Sequence, residues 1–173
     1  FLLVVSIYLQ NKYLIIFLLG IIIFLTFFYR VPEYNFSGDS NNLVCPCKGK
    51  IIKVEDTETH TKLYIFLSAF DPHIQIMPYS GKLVKYEFIP GKFQFAYKLE
   101  KDNYRTRFIT HISSNHGLIE LIQNTGMITR RIKNNHQINK KVEKGEILGI
   151  IKFGSRVDIS IPKSFKITLI VPS

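Results

Sequence analysis

The sequence predicts a mainly β fold: an antiparallel barrel or sandwich-like domain preceded by an N-terminal hydrophobic membrane helix or helical hairpin. Residues 1–29 carry a single charge, Lys12. Beyond residue 42, short apolar runs rich in Ile, Val, Phe, Tyr and Thr recur at a spacing of roughly ten residues, with Gly and Pro between them. We therefore expect three parts, which are a membrane-anchoring segment (1–30), a polar connector (31–42) and a β-rich domain (43–173).

The N-terminal segment is apolar enough to enter lipid. From Tyr13 to Tyr29 the residues are uncharged and almost all apolar, and this length is at the lower end of what spans a bilayer. Residues 1–9 form a second, shorter apolar piece. Two arrangements stay open: one spanning helix preceded by a truncated one, or a hairpin of two short helices that dips into one leaflet. A cleaved signal peptide is disfavoured, because no small-residue cleavage site follows the apolar run.

The charge of the chain points to anionic partners. The net charge is +10 and the pI is about 9.6; only Lys12 and Arg30 among the basic residues precede residue 31, so the polar part is strongly basic. Nucleic acid and an anionic membrane both suit such a surface, and the apolar segment favours the membrane. We expect membrane association, on the cytoplasmic face because of Arg30 and the basic domain after it, and no nucleic-acid partner.

Two local patterns need an explanation. The cysteines form the motif "CPC" at 45–47, whose spacing is too tight for a structural zinc pair and would strain a disulfide. We expect both to be packing or incidental residues and expect no metal site. The stretch "IIKFGSRVDISIP" at 150–162 has the alternation of a strand interrupted at Gly154 and Ser155.

Four ordered segments of the chain resemble the phosphatidylserine decarboxylase family in its short form. They are "FFYRVPEY" at 27–34, "CPCKGKI" at 45–51, "IFLSAFDPHIQIMPYSGKL" at 65–83 with "PGKF" at 90–93, and "KGEILGIIKFGSRVDISIP" at 144–162. The last of these covers nearly the whole family signature around its cleavage site. Because the four segments occur in order and at sensible spacing, the resemblance extends over almost the entire chain.

The resemblance implies a self-cleaving, pyruvoyl-dependent decarboxylase. Ser155 would attack the carbonyl of Gly154, giving chains 1–154 and 155–173 that stay associated, with a covalent pyruvoyl group made from Ser155. That group would serve as the electron sink for loss of CO₂ from phosphatidylserine, giving phosphatidylethanolamine. The family that the chain resembles includes members that act on archaetidylserine. Ester-linked and ether-linked lipids therefore both remain candidate substrates.

The resemblance also implies roles for further residues. His73 would move protons, since imidazole titrates near neutral pH, and Phe153 would pack beside the prosthetic group. Three arginines are candidates for the substrate's carboxylate or phosphate: Arg156, Arg130 and Arg131. Asp71 is expected to fix a turn by binding backbone amides.

Lys48 departs from the family pattern, which has an Asp at this place in the "CPCKGKI" turn. Either Lys48, desolvated and deprotonated, acts as the base for Ser155, or self-processing is impaired. The second case leads to an alternative function, a non-catalytic decarboxylase-like protein that binds anionic lipid at the membrane. A homodimer is left open, because a small β domain exposes sheet edges.

Overall fold

The computed structural model describes residues 12–31, 42–91, 106–125, 132–134, 136–151 and 155–165. These ranges contain one helix, α1 (Lys12–Phe28), and ten strands. The strands are β1 (Lys50–Asp56), β2 (His60–Leu67), β3 (Ile74–Ile76), β4 (Gly81–Ile89), β5 (Arg107–Ser114), β6 (Gly117–Thr125), β7 (Ile132–Asn134), β8 (Lys141–Val142), β9 (Ile147–Ile151) and β10 (Ser155–Pro162).

The described strands form two open antiparallel sheets. The larger has the order β1-β2-β10-β6-β5-β4-β8 and the smaller has the order β3-β9-β7. The mainly β, antiparallel prediction is therefore confirmed. A closed barrel is not what these strands form, because the larger sheet ends at β1 on one side and β8 on the other.

One hydrophobic core joins the two sheets. Leu63, Ile65 and Val157 of the larger sheet and Leu148 and Ile151 of β9 belong to the same buried cluster. Sheets that share one core in this way make a sandwich-like domain.

Strand β10 lies in the middle of the larger sheet. It pairs along its length with β2 on one side and with β6 on the other, and seven of its eight residues are buried. A central strand is shielded by neighbours at both edges and by side chains on both faces. This position explains why polar as well as apolar residues of "SRVDISIP" are buried.

Helix α1 has a mainly exposed apolar surface. Ile16, Phe17 and Ile23 are all more than 60% exposed, whereas Phe28 at the end of the helix is fully buried. Within the described part of the chain, no helix combines the length and apolarity that crossing a membrane requires, so the single spanning helix expected around residues 13–29 is not found there. Residues 1–11, which would supply the other half of a hairpin, lie outside the described residues.

Candidate active site around Ser155 and His73

Ser155 begins strand β10 and is fully buried. Alternation along the strand places it on the same face as Val157 and Ile159, which belong to the core. Its Oγ makes no hydrogen bond to any of the described residues. A buried hydroxyl without a partner is unfavourable, and such an exception needs an explanation, for which a catalytic role is one candidate.

His73 is also fully buried and also has a side-chain atom without a hydrogen-bond partner. Its Nδ1 lies 2.7 Å from the carbonyl oxygen of Asp71. A carbonyl oxygen only accepts hydrogen bonds, so Nδ1 carries the proton of the neutral ring and Nε2 keeps a free lone pair. Nε2 has no hydrogen-bond partner within the described part of the chain. The imidazole is therefore held in the tautomer that can accept a proton at Nε2.

The environment of His73 favours its neutral form. Burial lowers the pKa of the imidazole, and this effect outweighs the hydrogen bond to the Asp71 carbonyl and the Asp71 charge, which both act in the opposite direction. A neutral imidazole at ordinary pH can act as a general base.

Two backbone connections bring His73 towards Ser155. Ser155 pairs with Leu67 across β10 and β2, and the turn that ends at His73 leaves directly from Leu67. On the other side, the carbonyl oxygen of His73 accepts a hydrogen bond from the amide of Ile151 at 3.1 Å. Ser155 follows Ile151 by four positions, so their Cα atoms are at most about 14 Å apart.

Asp71 holds the turn between Leu67 and His73. Its Oδ2 accepts a hydrogen bond from the amide of Ser68 at 2.7 Å, and its own amide donates to the Ser68 carbonyl at 3.1 Å. The structure therefore agrees with the predicted role of Asp71 in binding a backbone amide. The same turn aims the Asp71 carbonyl at the imidazole.

Helix α1 contacts this turn directly. The ring of Phe28 stacks on the ring of His73 with centroids 4.2 Å apart and an interplanar angle of 25°. Arg30 donates from its guanidinium to the carbonyl oxygens of Phe27 and Phe70. Sequence reasoning missed Phe28, because a Phe at the end of an apolar run carries no sign of a distant aromatic partner.

A chain of buried amides ties His73 to the sheets. Gln75 Nε2 donates to the His73 carbonyl at 2.7 Å, Gln123 Nε2 donates to Gln75 Oε1 at 2.8 Å, and Asn134 Nδ2 donates to Gln123 Oε1 at 2.7 Å. Sequence reasoning missed this chain too, although a signal existed: Gln123 follows Ile119 and Leu121 on the inward face of β6, where an apolar residue is expected.

The "CPCKGKI" turn lies against the strand that follows His73. The amide of Ile76 donates to the Pro46 carbonyl at 2.9 Å, and Cys47 belongs to the core. Gly49 approaches β2 so closely that an added Cβ would lie 2.5 Å from the Phe66 carbonyl oxygen. Lys48, between them, is exposed. The desolvation that would make it a neutral base is therefore absent from this arrangement, and the structure does not favour that prediction.

The two thiols of this turn are in different environments. Cys47 is buried, and its pKa is raised above the ordinary value by its interaction with Cys45, by burial and by nearby charges that include Asp71 and Asp158. The Cys45 thiol donates to the Cys47 carbonyl at 3.0 Å. The packing role predicted for Cys47 agrees with its place in the core, whereas Cys45 is exposed.

Arg156 forms a buried ion pair within β10. It is fully buried, and alternation along β10 directs it to the opposite face from Ser155. Its Nε and Nη2 donate to Asp158 Oδ1 and Oδ2 at 2.6 and 2.8 Å. This geometry supports a structural role in place of the predicted substrate contact, because the guanidinium is already neutralised by a carboxylate.

The remaining predicted site residues cannot be placed. Gly154, Phe153, Arg130 and Arg131 lie outside the described residues. Their roles in cleavage, packing and substrate binding stay predictions.

Comparison with known proteins gives a consistent result. The family model described as phosphatidylserine decarboxylase matches residues 21–172. The phosphatidylserine decarboxylase proenzyme of Syntrophus aciditrophicus is 31% identical over 173 residues, covering 95% of this chain and 81% of that protein. The corresponding proenzyme of Geotalea uraniireducens is 32% identical over 182 residues, covering 96% of this chain and 82% of that protein.

A third relative carries a different lipid in its name. The protein named "Putative archaetidylserine decarboxylase proenzyme" from Methanosarcina acetivorans is 35% identical over 147 residues, covering 84% of this chain and 68% of that protein. The family match, together with these identities over most of the chain, agrees with the resemblance in the four sequence segments. The chain belongs to the phosphatidylserine decarboxylase family.

Proposed function

We propose that this protein is a membrane-associated, pyruvoyl-dependent decarboxylase of phosphatidylserine or its ether-linked archaetidylserine counterpart, formed by self-cleavage between Gly154 and Ser155. The observation that carries the proposal is the pair of buried, unpartnered atoms, Ser155 Oγ and His73 Nε2, on two segments that the backbone holds close together. A buried imidazole nitrogen that can accept a proton, and a buried hydroxyl that has no other partner, are suited to proton transfer from the hydroxyl to the nitrogen.

In this proposal His73 acts first as a general base. Nε2 takes the proton of Ser155 Oγ while Oγ attacks the carbonyl carbon of Gly154, and the amide nitrogen of Ser155 leaves as the ester forms. The Asp71 carbonyl holds the Nδ1 proton throughout, so the ring that receives the second proton is stabilised by a hydrogen bond. The imidazolium returns its proton to the departing amine. Elimination then removes the Cα proton of residue 155 and breaks the Cβ–O ester bond, which leaves chain 1–154 with a free carboxylate and residue 155 as dehydroalanine. This residue tautomerises to an imine, and water hydrolyses the imine to the pyruvoyl group and ammonia.

The surroundings of residue 155 are suited to a prosthetic group that is formed from the serine itself. The orphaned hydroxyl on the core face marks the place where the group would form, between the β2 and β6 strands that pair with β10. A pyruvoyl ketone supplies the electron sink for decarboxylation. The two chains would stay associated because residues 155–162 are held by both neighbouring strands.

The lipid substrate is the reason to propose membrane association. The exposed apolar surface of α1 adjoins the His73 turn through Phe28 and Arg30. Such a surface is stabilised by contact with acyl chains, and the strongly basic remainder of the chain suits an anionic lipid surface. We propose the cytoplasmic face on the same charge argument.

A second candidate function rests on Lys48. An exposed lysine stands where the family has an Asp, and a protonated lysine cannot accept a hydrogen bond from an imidazolium. If processing fails for this reason, the protein would be a non-catalytic decarboxylase-like protein that binds anionic lipid.

Intact-mass measurement on protein purified from its host distinguishes these functions. The enzyme predicts two fragments that meet at Gly154 and Ser155, the smaller one blocked to Edman degradation, and CO₂ release from serine phospholipid vesicles. Ser155→Ala should stay uncut. The matched control, Ser160→Ala on the same strand, should cut normally. An uncut wild-type chain with an unmodified serine would support the non-catalytic function.

A further inference from the structure

The stacked pair of Phe28 and His73 links the apolar helix to the candidate base. Both rings are fully buried, and their small interplanar angle means that one whole face of the imidazole is covered by hydrocarbon. Phe28 is the one residue of α1 that is buried, while the rest of the helix is exposed or half-buried. The contact is therefore the place where α1 is fixed to the domain.

We propose that Phe28 is a positioning residue for self-cleavage: by stacking on His73 it keeps water from the ring and fixes the plane of the imidazole, so that Nε2 is held ready to accept a proton. This inference rests on the proposed function. Asp71 fixes the ring at Nδ1, and Phe28 fixes its plane, so the two contacts together restrict both rotation and tilt of the imidazole.

The groups around His73 determine in which direction its pKa changes when Phe28 is replaced. On the turn, Asp71 favours the charged ring. Arg30 is the cation that α1 brings to the same turn, the end of β9 contributes the apolar Ile151, and the raised pKa of Cys47 keeps that neighbouring thiol uncharged. Burial is the largest influence on the imidazole and it lowers the pKa, so removal of the Phe28 ring should raise it.

The consequence for cleavage depends on pH. In Phe28→Leu a larger share of His73 is protonated at pH 6, and a protonated ring cannot act as the base. We expect self-cleavage to slow by roughly two- to fourfold at pH 6, because at the ordinary imidazole pKa about a quarter of the rings stay neutral there, and by less at pH 8. A merely structural role for Phe28 would slow cleavage equally at both pH values.

The experiment uses the full chain and two readouts. Cleavage rate against pH is measured for wild type, Phe28→Leu, Phe28→Tyr, which keeps a ring, and Phe17→Leu, an exposed control on the same helix. In a Ser155→Ala background, NMR titration of labelled histidine follows the His73 imidazole, with His73→Gln used for assignment. Thermal unfolding reports whether each variant is folded.

For Phe28→Leu we expect a raised pKa of His73 and an altered pH profile of cleavage. Phe28→Tyr should restore the wild-type pKa and profile, and Phe17→Leu should leave both unchanged. If the wild type cleaves itself and Phe28→Leu shows the wild-type pH profile, the role of Phe28 is overturned while the proposed function stands. A wild-type chain that never cuts would overturn the proposed function and this role with it. Should Phe28→Leu fail to fold, a Phe28→Tyr variant with the wild-type titration and profile would support the proposal, and one that alters them would overturn it.

Discussion

Arg156 and Asp158 form a two-point ion pair within β10, with Nε and Nη2 donating to the two carboxylate oxygens at 2.6 and 2.8 Å. Both side chains are at least 96% buried. Asp158 Oδ2 also accepts a hydrogen bond from Asn124 Nδ2 at 2.9 Å. One face of the strand that carries Ser155 is thus fixed by charges, while its other face belongs to the core.

Removing one member of this pair should destabilise the fold. Arg156→Met leaves a buried carboxylate without its cation, and we expect a loss of about 3–5 kcal/mol in the free energy of unfolding. The double variant Arg156→Met/Asp158→Leu should recover much of that loss, because no buried charge remains. Urea unfolding of the four chains measures this cycle. A folded Arg156→Met of unchanged stability with a weakened lipid affinity would instead support the substrate-binding prediction.

His73→Gln tests the proposed base. Glutamine keeps a side chain that can hydrogen-bond the Asp71 carbonyl but offers no nitrogen lone pair for the Ser155 proton, so self-cleavage should slow by roughly 10²–10⁴-fold. The rate is followed on denaturing gels after synthesis in a cell-free system. His111→Gln is the control, because His111 lies on β5 and pairs with Glu120 on the neighbouring strand β6. Equal cleavage by His73→Gln and wild type would contradict the assignment.

The buried amide chain should contribute to stability through its pairing. Gln123→Met removes the donor to Gln75 and the acceptor for Asn134, and each group left unpaired costs about 1–3 kcal/mol. The unfolding midpoint in urea should fall, and the exposed Gln137→Ala should leave it unchanged. Retained stability would mean that water or a rearranged neighbour replaces the lost partners.

Burial of neutral His73 predicts a pH dependence of stability. Its pKa in the folded protein lies below the ordinary value of 6.5, so the unfolded state takes up the proton first as the pH falls. Stability should therefore decrease below about pH 6.5 and level off below the folded pKa. In a Ser155→Ala background, which keeps the chain whole, His73→Gln should lose less stability between pH 7.5 and 5.5 than its parent. Parallel losses in the two chains would contradict this.

Local patterns in the sequence predicted the part of the site that depends on local structure. The alternation around Ser155 predicted a strand, and the "FDPHIQ" segment predicted a turn in which Asp71 binds a backbone amide; both agree with the structure. The contacts of Phe28 and Gln123 depend on which strands become neighbours and on where α1 ends. Those pairings join residues far apart in the chain, and no local periodicity encodes them. Alternation along β10 predicts that Arg156 lies on the face opposite to Ser155. Its pairing with Asp158 is a side-chain contact that the alternation does not encode, and the substrate-binding role of Arg156 stays a prediction.

Lys48→Asp decides between the two proposed functions. The turn that carries Lys48 is bound to β3, the strand that follows His73, through the Ile76 amide and the Pro46 carbonyl, so a carboxylate at position 48 tests whether the Asp of the family acts from this turn. A nearby negative charge stabilises the imidazolium that forms when Ser155 loses its proton. We expect Lys48→Asp to accelerate self-cleavage by roughly tenfold, a barrier change of about 1.4 kcal/mol. Lys50→Asp, an exposed neighbour on β1, controls for the change in net charge. If both variants cut at the wild-type rate, position 48 has no part in processing, and if neither the wild type nor Lys48→Asp cuts, the lysine is not what prevents it.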